Sequence, residues 1–130
     1  MSFKFEKLKV WNIALELSDQ IDRIALQFPK HELYSLSSQI KRAADSIVLN
    51  IAEGCTLQSN IEFKRFLIIA NRSGLEVVAC LYIAKRRSYI SNEVFQQLYD
   101  AYLQLTKQIQ ALINSLTKPI TVDRGLTTND

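Results

Sequence analysis

From Val10 onward, apolar residues recur at Ile13, Ala14, Leu17, Ile21, Ile24 and Phe28, in steps of three and four. This spacing lays one apolar stripe along a helix, with Glu16, Asp19, Asp22 and Arg23 off the stripe. Pro29 lacks an N–H and clashes with a preceding helical turn, so Phe28-Pro29-Lys30 is expected to be a corner. A second helix carries Leu36, Ile40, Ala43, Ile47 and Ile51 on one face, with Gly54 as its expected stop. Ser59-Asn60-Ile61-Glu62 has the form of a capping box and opens a third helix. The inward face of that helix is Phe63, Phe66, Leu67, Ala70, Gly74, Val77, Leu81 and Ala84. Ser91-Asn92 caps a fourth, which turns Val94, Leu98, Ala101, Tyr102, Leu105, Ile109, Leu112 and Leu116 inward before Pro119.

Four helices joined by short loops should pack antiparallel, so the fold class is all-α, an up-down-up-down four-helix bundle in a single domain. The bundle is expected over residues 1–118, and residues 119–130 form a polar tail expected to be mobile. Ala70, Ser73 and Gly74 put small side chains on the inward side of the third helix and permit a close crossing. Asn50 falls toward the core side of the second helix and is expected to bond to a neighbouring helix.

Composition agrees with this reading. The chain has 130 residues, 48% of them hydrophobic, and only three Gly and two Pro. So few breakers exclude a loop-rich sandwich, a Gly-rich nucleotide fold, collagen and broad disorder. The N-terminus has no apolar signal region, and the longest unbroken apolar run, Val77 to Ala84, is far short of the ~20 residues of a membrane span. Together with two cysteines, Cys55 and Cys80, expected as free buried thiols, this leads us to expect a cytoplasmic protein with no membrane partner.

Two features break the simple amphipathic pattern. The second helix carries a further apolar set, Ala44, Val48, Leu49 and Ala52, and the third does so at Ile68, Leu75, Ala79 and Ile83. Aliphatic surface of this extent marks an association face, so Val48, Leu49, Ile68, Leu75 and Ile83 are expected at a subunit interface. The net charge of +3 is also unevenly spread. Residues 41–87 hold eight basic side chains against four acidic, a balance of +4, while the flanking segments balance at 0 and −1. Arg65, Arg72 and Arg86 are spaced by seven and fourteen, along one side of the third helix. With Lys41, Arg42 and Lys64 they form a candidate phosphate-contacting set. The same arginines would equally serve acidic groups across a subunit interface. There is no aromatic-basic motif, zinc spacing or helix-turn-helix signature for base-specific readout.

Catalytic chemistry is missing. His31, the one histidine, stands at the first corner and is expected to be solvated or capping. No second histidine or cysteine spacing suits a metal, and no phosphate-cradling glycine loop or nucleophile–base pair is present. Asp45 and Glu53 share a side of the second helix but lack the concave, desolvated setting of acid–base work. The chain is therefore expected to be non-enzymatic, with no cofactor and no metal.

The string Phe5-Glu6-Lys7-Leu8-Lys9-Val10-Trp11 resembles the opening of the four-helix proteins encoded in intervening sequences of bacterial 23S rRNA genes, also called the S23 ribosomal protein family. Phe28-Pro29-Lys30, Glu32-Leu33-Tyr34-Ser35-Leu36, the run from Ser38 to Ile47 and Asn50-Ile51-Ala52-Glu53-Gly54 extend the resemblance. Glu62-Phe63, Phe66-Leu67, Ile69-Ala70, Ser73 and Glu76 carry it into the third helix, whereas the fourth agrees only in pattern. The resemblance implies a ring-like homopentamer. It is similar as well to the accessory protein of diversity-generating retroelements, which implies binding of RNA or DNA and a protein partner such as a reverse transcriptase. By the same resemblance Lys41 and Arg42 match a basic pair of the family. The chain departs from it at Ser35, where glycine is common, at Val48, where many relatives have proline, and after Gly54, where many carry an arginine.

Overall fold

The computed structural model describes residues 2–117. A 3-10 turn at Lys4–Lys7 leads into α1 (Lys9–Ala25), and a second, Lys30–Glu32, joins it to α2 (Leu36–Cys55). Then come α3 (Asn60–Arg86) and α4 (Asn92–Thr117), and no strand occurs among the described residues. Consecutive helices pack on one another and α1 also meets α4, which closes a four-helix bundle. Its antiparallel sense is fixed by pairs across the seams: Ser37 with Ala25 and Lys41 with Asp22, then Gln39 with Glu76 and Ser46 with Ser73. The expected stop at Pro119 and the tail lie outside the described residues.

Local chemistry sets the helix ends. Ser59 Oγ accepts the N–H groups of Ile61 and Glu62 at 3.1 and 3.3 Å, satisfying two orphan donors of α3. Ser91 Oγ does the same for Val94 at the start of α4. At the end of α3, Ser88 has φ 64°, and Tyr89 N–H reaches back to Ala84 C=O at 2.8 Å. Ser88 N–H reaches Lys85 C=O as well, so a serine takes the left-handed position that usually falls to glycine.

The stripes read from the sequence line the core. Ile21, Ile40, Ile47, Ile51, Leu67, Leu81, Tyr102, Leu105 and Ile109 are fully buried. α4 also buries Phe95 and Ile113, which were not expected there. Gly54 does not stop α2: the helix runs on to Cys55, and a Cβ at Gly54 would stand 2.6 Å from Phe66 Cβ. The residue is glycine because α3 crosses at backbone distance. Gly74 serves the α3–α4 crossing in the same way, with Thr106 Cγ2 2.7 Å from the position of a Cβ. Asn50 differs from expectation too. Its amide donates to Ser46 C=O and Oγ within α2, and the link to α3 is made one step on, by Ser73 Oγ donating to Ser46 Oγ at 2.8 Å.

Cys55 and Cys80 are free and buried. Burial raises both thiols, Cys80 to about 11, which keeps them protonated and inert. α3 is long and apolar enough by length and composition to cross a membrane, with a mean hydropathy of 1.6 over its most apolar stretch. A bundle's central helix has the same composition, and here it packs between α2 and α4.

Candidate nucleic-acid and subunit interface

The second apolar sets divide once the helices pack. Ala44 and Val48 are buried inside the subunit, Val48 at 9% exposure, which corrects their reading as surface. α2 is covered by both α1 and α3, so its core stripe is wider than a single apolar face. Leu49 stays exposed on α2, as do Ile68, Leu75 and Ile83 on α3, Leu75 at 70%. Ile61, Ile68, Leu75 and Tyr82 recur by heptads, and all four are exposed.

The arginines share this side of α3. Three heptads of helix drift by only about 60°, so Arg65, Arg72 and Arg86 keep to one side, each four residues after an exposed Ile61, Ile68 or Tyr82. Arg65 reaches Glu62 at 3.5 Å on the surface, where such a pair is weak. Among the described residues Lys64, Arg72 and Arg86 make no ion pair. A groove of about 380 Å³ runs between α3 and α4, with Ile68, Leu75 and Ile113 against it and Arg72 and Lys107 at its edges. Lys107 went unnoticed in the sequence because it stands alone on α4, and only packing sets it beside Arg72.

Lys41 and Arg42 lie elsewhere. Lys41 Nζ sits 3.1 Å from Asp22 on α1, and both cations line a cavity at the α1–α2 corner. The structure therefore splits the six predicted cations between the α3 side and the α1–α2 corner. Below that corner the α1–α2 surface is acidic: Glu16, Asp19, Asp22 and Asp45 line one open cavity of about 630 Å³. Asp19 and Asp22 are paired with Arg23 and Lys41. Burial raises the Asp45 carboxyl, with Lys41 opposing the shift.

Lys85, in the last turn of α3, and Arg87, just beyond it, are committed to the fold. Lys85 stands over the Phe95 ring, 4.4 Å from its centroid. Arg87 reaches the buried carboxylate of Glu32 at 2.8 Å, and Tyr89 donates to the same Oε2 at 2.7 Å. The Tyr89 hydrogen bond leads in lowering the Glu32 carboxyl, and the Leu36 N–H and Arg87 act in the same direction against desolvation. His31 is exposed as expected and touches this cluster, with Nε2 3.3 Å from the Tyr89 hydroxyl. The cluster ties the α1–α2 corner to the α3–α4 corner, which no sequence spacing reveals. Among the described residues no group of His, Cys, Asp and Glu could hold a metal ion.

Fold and surface together define a class: an all-helical antiparallel bundle whose central helix turns a mixed arginine–aliphatic face outward. The family model for the 23S rRNA-intervening sequence protein matches residues 6–111, and the chain belongs to that family. It is similar to the crystal structure of a protein with unknown function from the S23 ribosomal protein family of Bacteroides thetaiotaomicron VPI-5482. The two share 25% identity with a TM-score of 0.75, over 81% of this chain and 95% of the other. No curated protein matches the chain.

Proposed function

We propose that the chain is a non-enzymatic homo-oligomer, a pentamer by family resemblance, that binds RNA or DNA through its basic surface with little sequence preference. The observation that carries this reading is the run of Arg65, Arg72 and Arg86 on one side of α3, with Arg72 and Arg86 unpaired among the described residues and Lys107 added across the groove. Unpaired guanidinium groups at heptad spacing suit phosphate oxygens, which carry affinity without sequence information. An oligomer repeats the set on every subunit. The expected result is anisotropy-detected binding of a labelled duplex and a labelled single strand at low salt, falling steeply as salt rises. No binding at low salt removes the proposal.

A second reading is favoured by the aliphatic residues on the same side. Ile68, Leu75 and Ile83 beside the arginines form a mixture typical of interface cores and rims. Glu16 and Asp45, the carboxylates of the α1–α2 cavity with no ion pair among the described residues, are a complement on another copy. In that reading the stripe is used inside a structural or adaptor oligomer, which leaves its protein partner, a reverse transcriptase included, to another surface.

A further inference from the structure

At the α1–α2 corner the chain is held rigidly from within. Phe28 is buried and packs on the Tyr89 ring at a centroid distance of 5.4 Å, while Glu32 is gripped by Arg87 and Tyr89. The outer side of the same corner is unusually apolar. Leu26 and Leu33 are exposed, and Tyr34, at 91%, is the most exposed of the large apolar side chains described. Tyr34 makes no ring contact and no hydrogen bond among the described residues, so nothing among them accounts for its position. Leu26, Phe28, Leu33 and Tyr34 line a cavity of about 440 Å³, and its charged lining is Lys30, Lys41, Arg42 and Asp45. That volume lies within the roughly 300–1,000 Å³ of small-ligand sites. Lys41 is occupied by Asp22, but Lys30 and Arg42 have no acidic partner among the described residues.

We propose that this corner pocket takes an unpaired nucleobase stacked on Tyr34, with the neighbouring phosphates held by Lys30 and Arg42. The inference rests on the nucleic-acid reading above and narrows it to single strands at this site. Ring stacking accepts any base, because every base has a π-face, and an exposed ring on a fixed backbone is already in position for it. Flanking cations supply the phosphate contacts that a single strand needs on both sides of a splayed base. A duplex keeps its bases stacked on one another and offers no free face to Tyr34. An apolar protein segment is the competing occupant. With Lys41 held by Asp22, Lys30 and Arg42 outnumber Asp45 on the pocket, and that balance favours a polyanion over such a segment.

The test is anisotropy titration of the full chain at low salt, with a labelled oligothymidylate and a labelled duplex of equal length. Tyr34→Ala and Tyr34→Leu are each expected to weaken single-strand binding by about 5- to 150-fold, the loss of one base–aromatic stack, with duplex binding unchanged. Tyr34→Phe is expected to keep the affinity, and Arg42→Gln to lower the salt slope by about one phosphate contact. Because Tyr34 is almost wholly exposed, unchanged thermal unfolding of all variants confirms that the fold is intact. Single-strand affinity unchanged in Tyr34→Ala overturns the inference while leaving nucleic-acid binding in place. Affinity retained by Tyr34→Leu but lost in Tyr34→Ala overturns stacking in favour of simple apolar contact, as a protein segment would use. Failure of the unaltered chain to bind either oligonucleotide removes both readings together.

Discussion

Gly54 and Gly74 show how a single missing Cβ sets the distance between helices. Alanine is the better helix former by about 1 kcal/mol, so an uncrowded site would gain from the change. Here a Cβ would stand 2.6 Å from Phe66 Cβ at one site and 2.7 Å from Thr106 Cγ2 at the other. Overpacking of this kind costs about 1–3 kcal/mol, which outweighs the propensity gain. Gly54→Ala and Gly74→Ala are expected to lower the midpoint of urea unfolding. Thr106→Ser removes the obstructing methyl and is expected to rescue Gly74→Ala, but not Gly54→Ala, where the obstacle is fixed to the backbone of α3. The polar residues follow a comparable logic: Asn50 satisfies itself within α2, and Ser46 hands the connection to Ser73.

Between elements, the Glu32 cluster does what no single helix could. One carboxylate accepts from Arg87 and Tyr89 at the far end of α3 and, at 3.4 Å, from the first N–H of α2. These bonds need the ionised form, which is why the carboxyl is lowered below its ordinary value of 4.5. Their stabilising effect is therefore complete above the unfolded-state value and is lost as pH falls through the lower, folded one. Unfolding midpoints measured across acid pH should fall in the unaltered chain. Glu32→Gln should lower stability at neutral pH and flatten that acid dependence. An unchanged acid dependence in Glu32→Gln would assign the effect to other carboxylates. Tyr34 stands two residues along from Glu32, on the outer side of the same corner.

For the whole molecule, the question is what covers the outward face of α3. Both functional readings require an assembly, so light scattering at micromolar concentration should give a multiple of 14.9 kDa. A monomer would remove both. Arg65→Glu with Arg72→Glu separates them: an intact oligomer that no longer binds nucleic acid supports phosphate contact, whereas dissociation places the arginines between subunits. The charge of +3 per chain is multiplied by assembly, and exposed charges more than about 10 Å apart are largely screened at 0.1 M salt.

Helix number, helix faces, corners and family were legible in the sequence, because amphipathic period, Pro29 and the Ser59 cap are local signals read by neighbours a few residues apart. The eventual use of each face was not. Val48 and Leu49 are adjacent and equally aliphatic, yet one is in the core and the other in solvent, since α2 has helices on two sides. Lys41 and Arg42 group with the arginines of α3 by charge balance along the chain, and packing sets them at the α1–α2 corner instead. Lys107 joined Arg72, and Glu32 found Arg87 and Tyr89, across gaps of more than thirty residues that no periodicity spans. Lys30, Tyr34 and Arg42 line one cavity over a much shorter gap, because the corner after α1 turns α2 back along it. The sequence by itself determined the apolar stripes and the helix starts at Ser59 and Ser91, because those depend on bonds between residues a few positions apart. Beyond the local pairs Asp19–Arg23 and Glu62–Arg65, only the tertiary structure decided which charges are neutralised and which stand together, because Lys41–Asp22 and Arg87–Glu32 depend on distances between elements.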